Sequence, residues 1–450
     1  MCEANRGILT EVLKLRHECA QLLGYSDHAH FRLESKMAQD PQTVFKFLED
    51  LRSKFMPFAI EELEKLRRLK AEELGRDDVE IMSWDYIHYS NILREREYSI
   101  NEKIIEYFSL IDVVTAMLQI FEEVFGLHFR QVSNAFEKGL VWHEDVDLWE
   151  VWNSEEALKE FPEDDEFVGH LYLDLFRRSG KSKTGSSVEI QPGYDLDKTG
   201  KNRQFPAVAI LTSFAQYSEN EPCLLEHSDI VTLFHEFGHA MHNLLARVSF
   251  SRFHGSRVVQ DFVEVPSQVL ENWSWDRDTL IKRLSKHYLR PEETLPEDLA
   301  DQLVRSRRLN AGLENLFQIF YSLWDLTVHS DKNGKYFIFG AADEVFEKMR
   351  REISLIPQPE NVWPSASKGH FMKKYETGYY GYLWSEVFSA DIFYTIFAPV
   401  LHSDPLSAGL QYRRSILRVG GSRDAMESLV ELLGREPISE PFLKSFGLIK

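Results

Sequence analysis

Cysteine is scarce in this chain. Cys2, Cys19 and Cys223 are the only three in 450 residues. A sparse, odd set makes no disulfide framework and no Cys-x-x-Cys metal pair, so a reducing compartment is expected. Long apolar runs are missing as well, and none approaches the length that spans a bilayer. The first residues lack the hydrophobic core of a signal peptide, and they mix acids with bases, unlike a transit peptide. Cations are in deficit, with 52 Lys and Arg against 72 Asp and Glu and a formal net charge of −20. That balance excludes the basic surface of a nucleic-acid binder and favours cationic ligands. Repeats, heptads and low-complexity tracts are absent. The expectation is a cytoplasmic monomer with neither a membrane nor a nucleic acid as partner. A mitochondrial address stays open if a targeting segment lies upstream.

Hydrophobic residues make up 43% of the chain, enough for a sizeable core. Residues 1–137 read as helical. Thr43–Arg52 and Ile60–Leu69 are examples, the second with Glu61–Lys65 and Glu64–Arg68 as i,i+4 pairs on a wet face. Residues 138–223 change character. Leu140–His143, Val146–Trp152 and His170–Phe176 show partial period-two alternation, and Phe205–Thr212 reads as a buried strand. Gly180–Ser187 reads as a loop. Its Gly180-Lys-Ser182 is not the end of a phosphate loop, because Leu175 stands where that motif needs glycine. Residues 224–450 return to helix, with Asp343–Arg350 and the apolar Trp384–Phe397 as clear cases and Ser422 as a cap. The fold class is mainly α, with a small β-sheet beside one helix that carries the chemistry.

That helix contains His235, Glu236 and His239, spelling H-E-x-x-H. Residues four apart share a helix face about one turn of 5.4 Å apart, so two imidazoles can bind one metal ion. Glu236 sits at the edge of that face, where its carboxylate can reach a water on the metal. Leu233, Phe237, Met241, Leu244 and Leu245 repeat at helical spacing and predict a buried side. His227, Ser228 and Asp229 offer capping groups. The competing reading is a buried helix with two hydrogen-bonded histidines. A third His on a Gly-turned extension is excluded, since positions 242 and 245 hold His and Leu. His242 is expected to pack or to support the ligands.

A zinc site of this type needs a third protein ligand and an open position. The best candidate lies in Gln260–Trp273. There Glu264 and Glu271 are seven residues apart in an apolar stretch, where an unpaired carboxylate is costly to bury. Asp261 and Glu271 are expected to accept N–H bonds from the histidines.

His235-Glu-Phe-Gly-His239, Asp261-Phe-Val-Glu264, Pro266-Ser-Gln and Leu270-Glu-Asn-Trp273 together resemble the thimet oligopeptidase and neurolysin family of zinc oligopeptidases. Trp142-His-Glu-Asp-Val146, Tyr172-Leu-Asp-Leu175, Gln191-Pro-Gly193, Gly378-Tyr-Tyr-Gly-Tyr-Leu-Trp-Ser-Glu386 and Ile416-Leu-Arg-Val-Gly-Gly-Ser422 follow in the family's order. The resemblance implies a zincin-like fold, one zinc ion and oligopeptide substrates. It implies His235, His239 and Glu264 as zinc ligands and Glu236 as general base. His370 and Tyr382 match residues that act on the transition state, with Tyr382 as the phenol holding the oxyanion. Tyr375 and Tyr379 match substrate-binding positions. Read without the resemblance, Tyr379, Tyr380 and Tyr382 are better taken as core or surface aromatics with hydrogen-bonded hydroxyls.

Three departures accompany the resemblance. The family's glycine-rich stretch between the positions of His370 and Tyr375 is here Phe371-Met-Lys-Lys374. Arg257 stands near Gly255 where the family usually has histidine, and it is expected either to bind a substrate carboxylate or to lie at the surface. Family members also carry a long helical segment before the point where this chain starts. The implied function is a zinc-dependent metalloendopeptidase cleaving internal bonds of short peptides. The alternative is a weakly active or inactive peptide-binding fragment of such an enzyme.

Overall fold

The computed structural model describes residues 2–98, 102–215, 222–373 and 375–449. Helices supply most of the mass. The helix Pro41–Leu74 starts on Asp40, whose carboxylate accepts the Thr43 N–H, and stops on Gly75 at φ 63°. Both helical segments expected from the sequence belong to it, and Pro57 lies inside it. Its buried stripe, which includes Val44, Leu48, Leu51 and Phe55, packs on the helix Ala311–His329. Glu64 pairs with Arg68 at 3.5 Å, but Lys65 turns to Glu97 at 3.3 Å instead of to Glu61.

Seven strands form between residues 127 and 214: β1 Leu127–Gln131, β2 Asp147–Asn153, β3 Phe167–Phe176, β4 Ser186–Gln191, β5 Tyr194–Asp195, β6 Arg203–Gln204 and β7 Ala207–Phe214. The main sheet has the order β1-β2-β3-β7-β4, and β5 and β6 pair separately. Only β3–β7 is parallel in the main sheet. Leu171, Val208 and Ile210 are fully buried at its centre. The helix His227–Leu245 packs on β7, β4 and β3, which explains the continuous apolar run of β7. β4 lies at the sheet edge beside that helix.

Leu140–His143 is not a strand. Its alternation has another cause: Val141 packs into a satellite cluster, while the Trp142 ring stacks on Tyr172 and its N–H bonds Asp174 at 2.9 Å. β1 lies before residue 138, yet it pairs with β2 beyond it. The last long helical segment is a helix, Gly381–Ile392, followed by a π-helical turn, Phe393–Phe397. Near the C-terminus the cap is Asp424, not Ser422; its carboxylate accepts the Met426 and Glu427 N–H groups. One hydrophobic core runs from Leu9 to Leu443. Among the described residues no helix is long and apolar enough to cross a membrane.

Candidate metal centre

The helix His227–Leu245 begins with Asp229 accepting the Glu226 N–H at 3.0 Å, which satisfies a free helix-end donor with an anion. His227 is turned away to the Ser274 carbonyl at 2.8 Å. Leu233, Phe237 and Met241 are fully buried, so the helix cannot rotate about its axis. The opposite face carries His235 and His239, with ring centroids 4.9 Å apart.

Gly238 lies between the two histidines. A Cβ there would stand 2.5 Å from Ser267 Cα and 2.6 Å from the Pro266 carbonyl oxygen. The missing side chain lets the short helix Val265–Glu271 lie directly on the histidine helix. Glu264, the residue just before that short helix, is thereby brought to both imidazoles. Its Oε2 is 3.3 Å from His235 Nε2 and 3.2 Å from His239 Nε2. Zinc bonds of about 2.0–2.1 Å at tetrahedral angles would set donors about 3.3 Å apart. The three donor atoms lie within 4.8 Å of one another, so the site fits a zinc ion in size and chemistry.

The other nitrogen of His235 is 2.6 Å from Glu271 Oε1. Burial pulls His235 toward neutrality, but hydrogen bonds and charge from Glu264 and Glu271 outweigh it and raise it to about 10. Burial likewise pushes Glu264 up, and the two histidines overcome this and hold it well below the usual carboxylate range. Glu236 is buried beside the histidines, and burial raises it above an ordinary glutamate while their charges and the Ser187 backbone oppose this. Gly185, next to β4, leaves room there: a Cβ would meet Glu236 Oε1 at 3.3 Å.

An aromatic row leads away from Glu264. The Tyr375 hydroxyl donates to Glu264 Oε1 at 2.9 Å. Tyr382 stacks on Tyr375 with centroids 5.3 Å apart. Tyr379 follows at 5.6 Å from Tyr382, and His370 stands 5.6 Å from Tyr379 and 6.1 Å from Tyr382. His370 is kept below its usual pKa by burial and by the charges of Lys368 and Lys373. Within the stretch Phe371-Met-Lys-Lys374, Phe371 is buried against Trp324 and anchors it; Lys374 lies outside the described residues.

Asp261 requires a correction. Its carboxylate accepts the Met37 and Ala38 N–H groups at 3.0 and 3.1 Å and the Tyr380 hydroxyl at 2.7 Å, and no histidine. It faces the helical N-terminal part of the chain because one residue step from Phe262 turns it to that side. His242 is fully buried and pushed down to about 3, chiefly by burial, and it is not among the three clustered donors. Arg257 is paired with Glu189 on β4.

The sequence reading missed three contributors. Gly238 carried a signal, a glycine inside an apolar helix. Asp325 accepts the Thr377 and Tyr379 N–H groups at 3.0 and 3.2 Å and so shapes the tyrosine segment. Lys368 donates to the Tyr379 hydroxyl at 2.9 Å. Neither of the last two stands in a motif that would announce it.

Residues 2–448 match the model of peptidase family M3. Saccharolysin of Saccharomyces cerevisiae is 39% identical over 99% of this chain and 61% of its own length. The thimet-like oligopeptidase of Dictyostelium discoideum is 33% identical, over 99% and 64%. Oligopeptidase A of Escherichia coli is 31% identical, over 99% and 62%. The chain thus spans about three fifths of the length of these curated relatives. Among solved structures, PZ peptidase A with an inhibitor superposes with a TM-score of 0.55 at 14% identity, over 99% of this chain and 64% of that one. An M32 carboxypeptidase from Deinococcus radiodurans gives 0.54 at 13%, over 96% and 71%. These two likenesses support the zincin-like, mainly helical fold. With a family match from end to end and the paired histidines and glutamate converging at its centre, the chain belongs to peptidase family M3.

Proposed function

We propose that this chain is a zinc-dependent metalloendopeptidase that hydrolyses internal bonds of short peptides. One observation carries the reading: three metal-type donors converge while a buried carboxylate, Glu236, stands beside them. His235, His239 and Glu264 would hold the zinc ion. When bound, the ion supplies Lewis acidity, which brings a water pKa to about 7 and polarises the scissile carbonyl. Glu236 accepts the proton of the attacking water and passes it to the leaving amine nitrogen. Its raised pKa suits a group that must take up a proton and release it. Tyr382 donates its hydroxyl to the developing oxyanion, aided by His370; a fixed neutral donor is worth a few kcal/mol in a dry cleft. Tyr375 and Tyr379 form the adjoining wall for the peptide. Glu271 holds the ring of His235 in the orientation that presents Nε2. The open edge of β4 offers main-chain groups to an extended peptide, which suits broad sequence preference. The names of two relatives, the thimet-like oligopeptidase and oligopeptidase A, support oligopeptides as substrates. We read the protein as a monomer of a reducing compartment, the cytoplasm or an organelle.

A second reading, a peptide-binding fragment with little turnover, rests on the chain's share of its relatives' length. The test is a titration of the purified chain with zinc and an internally quenched oligopeptide. Cleavage that Glu236→Gln abolishes while zinc stays bound supports the enzyme. Stoichiometric zinc without cleavage supports the fragment, and absence of zinc binding overturns both.

A further inference from the structure

Among the described residues Lys368 is a cation without an acid. Its ammonium lies 3.4 Å from the centroid of the Tyr321 ring and 4.7 Å from that of Tyr379, and it donates to the Tyr379 hydroxyl at 2.9 Å. The side chain is half-buried. Among the described residues no carboxylate lies within ion-pair distance of it. Burial pulls it down to about 8, and no acid counters the shift. An ammonium has three N–H donors, and one is accounted for. Two ring faces and a phenol offset part of the cost of removing a charge from water. Among the described residues the remaining donors meet no anion.

The position decides what that anion is. Lys368 directly precedes the 3-10 turn Gly369–Met372 that carries His370. Tyr379, which it touches, is next in the row to Tyr382. The Tyr379 ring lies 5.6 Å from that of Tyr382 and 4.7 Å from the ammonium, so Tyr382 and the ammonium are within the reach of about three extended residues at ~3.3 Å each. Asp325, the acid that bonds the Tyr379 amide, is committed to two backbone N–H groups and to His329 at 3.0 Å. Lys373, on the other side of His370, is exposed. The chain as a whole carries −20 and repels carboxylates, yet beside the tyrosine row it presents two lysines.

We propose that Lys368 is a specificity residue that binds a carboxylate of the peptide, either its C-terminal α-carboxylate or an acidic side chain. The proposal rests on the peptidase reading for its substrate but is separable from it in the test. The full zinc-loaded chain is assayed with quenched peptides matched in pairs. One pair differs by C-terminal carboxylate against amide, and the other, amidated, by Glu against Gln near that end. The pairs are also bound by fluorescence anisotropy to zinc-loaded Glu236→Gln protein, which needs no turnover. The expected result is a preference of about fivefold or more for the charged member of one pair, carried in KM and in the anisotropy Kd. Whichever pair shows it identifies the source of the carboxylate. Lys368→Met should reduce the preference to within about twofold, read as the ratio of the charged to the neutral member of each pair, and Lys368→Arg should restore part of it. Equal binding of both members of each pair by the parent, or a preference surviving in Lys368→Met, overturns the proposal. If Lys368→Met does not fold, Lys368→Gln replaces it with the same criteria. Absence of cleavage with the charge preference intact in anisotropy defeats the peptidase reading and leaves this one standing.

Discussion

Glu271 Oε1 stands 2.6 Å from Nδ1 of His235, while Glu264 Oε2 faces Nε2 of the same ring at 3.3 Å. One imidazole is thus gripped on both nitrogens by two acids seven residues apart. The outer acid fixes the tautomer and the ring plane, so the inner nitrogen is free for a metal.

Glu271→Gln should therefore weaken zinc binding by about 10–100-fold without unfolding the chain. Competition against a chelator of known affinity reads it. Unchanged affinity would show that the helix backbone alone orients His235.

Gly238→Ala places a methyl against backbone, 2.5 Å from Ser267 Cα. The two helices must part, at a cost of about 1–3 kcal/mol. Glu264 would move away from the imidazoles. We expect a lower Tm together with weaker zinc binding. A Tm loss with the parent's zinc affinity would mean that Glu264 is positioned by something other than this contact.

Tyr382→Phe removes a donor aimed at developing charge. It should lower kcat by about 10²–10³-fold and leave KM within a few-fold. Tyr375→Phe deletes the hydroxyl bonded to Glu264 and should lower zinc affinity modestly as well. Steady-state kinetics with zinc titration separates the two, and a Tyr382→Phe effect confined to KM would reassign that phenol to binding.

Thr377 is β-branched and buried, yet it has φ 58°, a conformation costing about 1–3 kcal/mol. Asp325 holds it there through its N–H. Asp325→Asn removes the charge that serves two amides and should lower both Tm and kcat. Thr377→Gly relieves the strain and should recover part of the Tm in the double variant. Strict additivity of the two Tm changes would argue against this coupling.

Glu386 is pushed up to about 7 by burial and by the charge of Glu271, with Arg307 opposing. Its folded pKa exceeds the unfolded value of 4.5, so the folded state keeps a proton that the unfolded state loses. Below about pH 4.5 the two states are alike. Stability is lost as pH rises from there to about 7, and the loss is complete above it. Glu386→Gln should thus gain on the parent with rising pH, by about 2 kcal/mol at pH 8 relative to pH 5. Urea unfolding at the two values measures it. A constant difference would show that Glu386 ionises in the fold as it does in water.

Much of the fold was legible because the patterns are local. The helix spanning 227–245 announces itself through Leu233, Phe237 and Met241, and β7 through its unbroken apolar run. Leu140–His143 misled because alternation around one stacked tryptophan looks like a strand. Asp261 misled because its neighbour Glu264 faces the metal site while Asp261 faces Met37 and Ala38, more than 200 residues earlier in the chain. Asp325 and Lys368 had no local pattern at all.

The sequence by itself determined that two imidazoles share a helix face with a glutamate at its edge, since helical periodicity follows from backbone geometry. Tertiary structure alone decided which acid meets which nitrogen: Glu264 inside, Glu271 outside, Asp261 elsewhere. That choice depends on how closely two helices approach across Gly238, and such contact between distant segments leaves no periodic trace along the chain.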